Sequence, residues 1–255
     1  MNKFWQKAYM VVVYAFLYAP ILVLIVFSFN EGRTRGSWEG FSLIWYETLI
    51  EDEEILSAVK NTFLVAVVST VISTFIGTMG AIGIDQMRSR SKGRILALNQ
   101  IPVVNPDIVM AVGLMVLYRS LLMDFGLLTL TLSHIAFTVP YVVLSVLPKL
   151  KQMPRALPEA AMDLGASPAQ VLRKVIIPQI RPGIISGALI AFTLSIDDFV
   201  ISFFTTGNGV ETVSTIVYSM ARRGINPTIN ALSTIMFAVM LILLIGVNLL
   251  TKREG

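Results

Sequence analysis

The chain has 255 residues, of which 55% are hydrophobic and only 14% charged, and its mean hydropathy is +0.74. A soluble domain carries roughly a quarter charged residues, so this composition excludes an ordinary water-soluble enzyme and a disordered chain. The absence of cysteine excludes disulfides, thiolate metal sites and a cysteine nucleophile. The sequence therefore predicts a membrane protein.

Six segments carry the roughly 20 mostly apolar residues that one spanning helix requires. In chain order they are residues 9–29, 62–84, 95–118, 127–147, 183–205 and 229–250. The first is predicted to be a retained signal anchor, because its apolar run is too long for a signal peptide. The expected fold is an all-α membrane protein, a single transmembrane domain over residues 1–255 with six transmembrane helices.

Charge orients these helices, because cytoplasmic loops collect Lys and Arg. Most of the 20 Lys and Arg residues lie at the amino terminus, in segments 85–94 and 148–182, and in the carboxy-terminal tail. The acidic run 51–54 falls in the predicted outer loop, 30–61. Both termini are therefore predicted to be cytoplasmic. Membrane orientation, rather than nucleic-acid binding, explains the net charge of +4.

Three stretches are too short or too polar to span: the outer loop 30–61, a second outer stretch, 206–228, and the cytoplasmic loop 148–182. The middle of the outer loop, residues 38–46, is rich in aromatic side chains, which favour the boundary between water and lipid. It is predicted to be either an interfacial anchor or a docking surface for an external partner. The cytoplasmic loop 148–182 predicts two short helices, one around 157–165 and one from 168 that ends at Pro178 and Pro182.

This cytoplasmic loop carries a spaced motif. Glu159-Ala160-Ala161 is followed after three residues by Gly165, and after nine more by Val175-x-Ile177-Pro178. The pattern resembles the signature of ABC importer permeases, in which Glu-Ala-Ala, Gly and Ile-x-Leu-Pro occur at the same spacing. The resemblance implies a type I importer permease bundle and a coupling helix that docks on a separate ATPase, with Glu159, Ala160, Ala161, Gly165 and Pro178 as ATPase-coupling residues.

Shorter motifs extend the likeness over nearly the whole chain, and together they resemble the second permease subunits of spermidine/putrescine importers. They are 18–21, 38–41, 45–46, 106–111 and 195–198. The resemblance implies a second, homologous permease subunit in a heterodimer, two copies of an ATP-binding subunit and an extracytoplasmic substrate-binding protein, at a bacterial inner membrane. The chain lacks a phosphate-binding loop, so ATP and Mg²⁺ are expected at the partner ATPase and no cofactor on this chain.

Three carboxylates lie inside predicted spans, where a charged side chain is costly and needs a reason. Asp107 lies near the middle of the third span, and Asp197 and Asp198 lie in the outer half of the fifth. A polyamine carries several positive charges, and carboxylates with aromatic faces would replace its water. The predicted substrate pathway therefore comprises Asp107, Asp197 and Asp198 with Tyr141 and Phe199.

Neighbours on a helix diverge by about 100°, so only one of Asp197 and Asp198 is expected to face the pathway while the other pairs within the bundle or with the partner. The alternative is that all three carboxylates are structural. The single histidine, His134, lies in the fourth span and is predicted to be a packing residue.

Other functional classes were weighed against transport coupled to ATP. An intramembrane aspartyl protease needs a Tyr-Asp motif, which the sequence lacks. An ion-driven secondary transporter would work without an ATPase, which the coupling motif contradicts. The chain is therefore predicted to be a transport subunit and no enzyme. Within the ABC class, a different small cationic solute remains the alternative to a polyamine.

Overall fold

The computed structural model describes residues 3–33, 37–223 and 227–252, and these are almost entirely helical. In chain order the helices are α1 (Lys3–Phe27), α2 (Ile44–Glu51), α3 (Glu53–Gln86), α4 (Ser89–Val104), α5 (Asp107–Ser120), α6 (Leu127–Gln152), α7 (Ala156–Asp163), α8 (Pro168–Val171), α9 (Ile177–Asp197), α10 (Val200–Thr205), α11 (Val213–Arg223) and α12 (Thr228–Lys252). A π-helical turn, Leu172–Ile176, joins α8 to α9.

Five helices in the described part of the chain are long and apolar enough to cross a membrane, and a bent pair of helices gives a sixth if it counts as one span. The five are Trp5–Phe27, Glu53–Gln86, Leu127–Gln152, Pro168–Asp197 and Thr228–Gly246. The bent pair is Ser89–Val104 with Asp107–Ser120. This agrees with the helical membrane fold of six spans that the hydropathy of the sequence predicts.

The predicted third span, 95–118, is divided in the structure into α4 and α5, which meet at 104°. Pro106 explains the bend. A residue before proline is driven out of the helical region, and Asn105 has an extended backbone at φ −77°, ψ 144°. The bend places Asp107 at the beginning of a new helix instead of inside a continuous one.

The prediction that Pro178 and Pro182 end a short second helix was wrong. The helix that begins at Pro168 continues through the π turn to Asp197, with both prolines inside it. In the π turn the amide of Ile177 bonds to the carbonyl of Leu172, five residues back. Helices tolerate irregular backbone hydrogen bonding at such wide turns. This suits a following proline, because proline has no N–H to donate to a carbonyl of the preceding turn. The second half of the predicted cytoplasmic loop, from Pro168, is therefore the first part of a spanning helix.

The chain divides into two compact units. The first comprises Met1–Leu56 and Ile216–Gly255. In it, α12 packs against α1 and α2. The backbone carbonyl of Asn30 accepts a 2.7 Å hydrogen bond from the Trp45 indole, and the Ser28 hydroxyl lies 2.7 Å from the Tyr46 hydroxyl. These bonds fold the aromatic segment 38–46 back onto the end of α1 and leave Trp38 half exposed.

The second unit, Ser57–Thr215, is centred on α6. Its buried core includes Val142, Val143 and Val146 of α6 with Ile180 and Ala191 of α9. Two glycines allow α6 to approach its neighbours closely. A Cβ at position 77 on α3 would lie 2.6 Å from the Val142 side chain, and one at position 187 on α9 would lie 3.2 Å from the Val142 backbone. This packing fixes the helices that surround the site.

Candidate functional site

A cavity of about 330 Å³ in the second unit brings all five predicted pathway residues together. Asp107 comes from the start of α5, Tyr141 from α6, and Asp197, Asp198 and Phe199 from the end of the long helix. The other lining residues are Pro102, Met110, Phe137, Thr193, Leu194, Val200 and Ile201. Three carboxylates and three aromatic rings therefore share one cavity, although about ninety residues separate Asp107 from Asp197 in the sequence.

Asp107 is the first residue of α5 and is exposed. Pro106 stands before it as the N-cap and makes no side-chain cap bond. A carboxylate is favourable in the first turn, where unpaired backbone amides give the helix end a partial positive charge. The same bend that starts α5 therefore stabilises the charge of Asp107 and presents it to the cavity.

The long helix breaks between the two neighbouring aspartates. The helix α9 ends at Asp197, and Asp198 has an extended backbone at φ −66°, ψ 127°. The Asp198 carboxylate then accepts hydrogen bonds from the amides of Ile201, at 3.2 Å, and Ser202, at 2.7 Å. Its own carbonyl accepts a 2.6 Å bond from the Ser214 hydroxyl. Asp198 thus caps α10 in the way that aspartate caps helices generally.

The two aspartates therefore differ in what they contact. The side chain of Asp198 is 7% exposed and is engaged with the backbone of α10, whereas Asp197 is exposed. The helical-wheel premise was wrong, because the helix ends between the two residues. In the structure Asp197 is open, and the Asp198 carboxylate is held inside the bundle.

The aromatic lining comes from α6 and from the break between α9 and α10. Tyr141 follows Pro140 on α6, and Phe137 lies one turn before it on the same face. The Phe199 ring packs against Phe203, with 5.5 Å between the ring centroids. Ring faces of this kind attract ammonium groups. Spacing alone was enough to find Phe137, four residues before Tyr141, but the sequence analysis missed it.

His134 is predicted from the sequence to be a packing residue, and the structure adds specific hydrogen-bond contacts. The ring is 1% exposed. Its Nδ1 lies 2.6 Å from the Ser195 hydroxyl and its Nε2 lies 3.1 Å from the Ser202 hydroxyl. The Nε2 atom is also 3.6 Å from the carboxylate of Asp198. Nothing in the local sequence signals these contacts, because they join α6 to the end of a different span.

The predicted coupling motif lies on α7 and the turn after it. Glu159 and Ala160 are exposed, and Ala161 is half-buried. Gly165 has φ +85°, a left-handed conformation that favours glycine. Its amide bonds to the carbonyl of Met162 at 2.8 Å, and the next amide, of Ala166, bonds to the carbonyl of Ala161 at 3.0 Å. Gly165 therefore ends the helix as a glycine C-cap does.

A second cavity, of about 540 Å³, lies beside α7, which carries the predicted coupling motif. Glu159 and Met162 line it, and so do Asp85 and Lys92, which form a 2.6 Å ion pair between the end of α3 and the start of α4. Pro178 is exposed on the helix that follows. In the described ranges no group of three or more His, Asp or Glu residues is placed to hold a metal ion.

Comparison with known proteins shows the family of the chain. A family model described as the inner membrane component of binding-protein-dependent transport systems matches residues 74–253. The chain belongs to this family. It is 38% identical over 253 residues to the spermidine/putrescine transport system permease protein PotC of Escherichia coli (strain K12), an alignment that covers 99% of this chain and 96% of that protein.

Two further relatives and two solved structures agree. The PotC protein of Haemophilus influenzae is 37% identical over 100% of both chains, and the putrescine transport system permease protein PotI of Escherichia coli (strain K12) is 36% identical over 98% of this permease and 92% of PotI. A bacterial ABC transporter that imports the acidic polysaccharide alginate matches with a TM-score of 0.77 at 17% identity, covering 98% of this chain and 96% of that chain. The MetNI methionine ABC transporter matches with a TM-score of 0.67 at 18% identity, covering 82% and 99%.

These matches confirm several predictions. The chain has the all-helical fold of ABC importer permeases, and it is a transport component of a membrane system rather than an enzyme. Systems of this family depend on a binding protein, as predicted. The predicted site residues, from Asp107 to Phe199, all lie within the part of the permease that the family model matches.

Proposed function

We propose that this permease passes polyamines of the spermidine and putrescine class inward through the cavity of Asp107, Asp197 and Asp198. The observation that carries the proposal is the convergence of these three carboxylates with Tyr141 and Phe199 in one cavity within the spanning helices. The identity to PotC and PotI over nearly the whole chain supports the same substrate class.

The roles of the carboxylates differ in this proposal. Asp197 is exposed and lines the cavity, where it binds a substrate ammonium directly, with Asp107 on α5 as a second acceptor. A linear polyamine has several separated ammonium groups, and carboxylates on different helices can bind more than one of them. Asp198 shapes the wall, because α10 depends on its carboxylate for two amide hydrogen bonds.

Transport is proposed to follow alternating access driven by separate subunits. The exposed coupling helix, with Glu159, Ala160, Ala161 and Gly165, docks on an ATP-binding subunit, and Pro178 lies in the helix that carries the movement toward the cavity. Since α8, the π turn and α9 form one continuous helix from Pro168 to Asp197, displacement at the coupling end reaches Asp197 through helical backbone.

The assembly proposed around this chain has a second, homologous permease, two ATP-binding subunits that use ATP and Mg²⁺, and an extracytoplasmic binding protein. This chain itself binds no cofactor in the proposal. Its location is a bacterial inner membrane with both termini in the cytoplasm. The exposed aromatic segment around Trp38 is on the outer side in this orientation and is available to the binding protein.

Uptake of labelled spermidine tests the proposed function. Cells that express the neighbouring operon are compared with and without this chain, and unlabelled putrescine, lysine and maltose serve as competitors. The proposal predicts that uptake requires the chain and that putrescine alone competes. Competition by lysine would favour a permease for a different small cationic solute. The same conclusion would follow if cells without the chain lost uptake of another cation and not of spermidine.

A further inference from the structure

His134 joins the two helices that meet at the break in the long span. Its Nδ1 lies 2.6 Å from the hydroxyl of Ser195, in the last turn of α9, and its Nε2 lies 3.1 Å from the hydroxyl of Ser202, in α10. All three side chains are nearly or completely buried. The ring therefore bridges the break from the side, at the point where the backbone hydrogen bonds of the helix are interrupted.

These contacts extend to α3 through a chain of hydroxyls. The Ser195 hydroxyl also lies 3.1 Å from that of Ser69, which is fully buried. A serine hydroxyl can donate or accept, so either tautomer of a neutral imidazole completes the chain. Removal of the ring would leave the Ser195 hydroxyl with Ser69 as its partner and would take one buried partner from the Ser202 hydroxyl, which is more costly than the loss of a hydrogen bond at the surface.

The same ring lies directly behind the cavity wall. Its Nε2 atom is 3.6 Å from the Asp198 carboxylate that caps α10, and its edge packs against Phe137, with 5.4 Å between the ring centroids. Both of these neighbours of the ring, Phe137 and Asp198, line the cavity. The residues on either side of Asp198, Asp197 and Phe199, also line it, whereas His134 does not. The orientation of α9 against α10 therefore decides where Asp197 and Phe199 point.

We propose that His134 is a positioning residue that clamps α9 to α10 across the break and so sets the substrate-facing wall of the cavity. It touches no substrate and acts through Ser195 and Ser202. A break without such a clamp would bend freely, because an interruption of the backbone ladder is where helices bend. The inference rests on the proposed function only for its transport readout, since the position of the wall can be measured without any substrate.

Cysteine labelling measures the wall directly, because the natural chain has no cysteine. Two lining positions, Phe199→Cys and Met110→Cys on α5, are each labelled with a cationic methanethiosulfonate reagent in the complete importer, and the modification of this chain is followed by mass. Adding His134→Leu is expected to change the labelling rate of Phe199→Cys by about tenfold, because two buried partners are lost, and to leave that of Met110→Cys unchanged.

Conservative variants separate positioning from general packing. His134→Asn retains a polar atom near Nδ1, and His134→Gln one near Nε2, so each keeps one side of the clamp and is expected to give an intermediate labelling rate. Ser73→Ala is a matched control, because its buried hydroxyl bonds to the Ser69 carbonyl at 2.6 Å on its own helix, away from the break. It is expected to change neither labelling rate.

Spermidine uptake supplies the second readout. His134→Leu is expected to raise the KM by about tenfold with a smaller change in Vmax, and His134→Gln to restore part of the KM. An unchanged labelling rate of Phe199→Cys in His134→Leu would overturn the proposal, and so would equal changes at positions 199 and 110. If labelling changes as expected but the unmodified importer takes up no spermidine, the clamp is supported and the proposed substrate is what fails.

Discussion

Replacement of Asp197 by Asn removes one charge from the cavity without changing its volume. Asp197 is exposed at the end of α9, whereas Asp198 beside it caps α10 through two backbone amides. The substitution therefore tests charge at the site without disturbing the helix that follows. It is expected to raise the KM for spermidine and leave the amount of inserted protein unchanged.

The magnitude follows from Coulomb's law. A carboxylate and an ammonium 4 Å apart attract by about 1 kcal/mol in water and about 4 kcal/mol near a protein surface. Because Asp197 is exposed, solvent screening favours the lower half of that range, about 1–2 kcal/mol. The KM is therefore expected to rise about 5- to 30-fold, since about 1.4 kcal/mol corresponds to a factor of ten.

Initial rates of labelled spermidine uptake measure this effect over a range of substrate concentrations. Asp124→Asn is the matched control, because Asp124 is also exposed but lies in the loop after α5 and does not line the cavity. Asp197→Glu retains the charge and should recover most of the affinity. An Asp197→Asn permease with the KM of the natural chain would refute the assignment of this carboxylate to the pathway.

Three further predictions concern other parts of the chain. Asp198→Ala removes the cap of α10 and should lower the stability of the purified permease by about 0.5–2 kcal/mol, whereas Asp198→Asn should cost less. Thermal unfolding in detergent measures both effects, and equal midpoints for the natural chain and the two variants would contradict the capping role. Gly165→Ala places a side chain at φ +85°, at a cost of about 1–2 kcal/mol, and Gly165→Pro is a harsher substitution at the same position. Each variant should reduce uptake and co-purification of the ATPase while the spans still insert. Loss of insertion would instead identify Gly165 as part of a folding element. Asn30→Ala removes the bonds to the Ser37 carbonyl and the Glu39 amide. It should speed proteolysis of the segment around Trp38 in right-side-out membrane vesicles, which expose the outer face, and leave proteolysis of the coupling loop unchanged.

The coupling motif and the pathway residues were accessible from sequence for different reasons. The spacing from Glu159 to Gly165 fixes a short helix and its glycine C-cap, so local chemistry was sufficient. The carboxylates were found because a charge within an apolar segment is costly wherever the neighbouring helices lie. Neither the motif spacing nor the cost of a buried charge predicts that Asp107 and Asp197 share one cavity. Their proximity depends on how α5 packs against α10.

The errors also have physical causes. Two prolines were expected to end a helix at Pro178 and Pro182, but a π turn ahead of them lets the helix continue. Asp197 and Asp198 were placed on one helix because their neighbours are strongly apolar, and hydropathy does not detect a break that a capping carboxylate stabilises. The contacts of His134 were not visible for a similar reason, because its two serine partners lie about sixty residues further along the chain.

The most direct test of the central claim is ATP-driven uptake of labelled spermidine into proteoliposomes that contain the complete purified importer. Uptake is expected to require ATP on the side of the coupling helix and the binding protein on the other side. A double variant, Asp107→Asn with Asp197→Asn, is expected to lose nearly all of this uptake while the Asp124→Asn importer retains it. Undiminished uptake by the double variant would contradict a substrate path through this cavity.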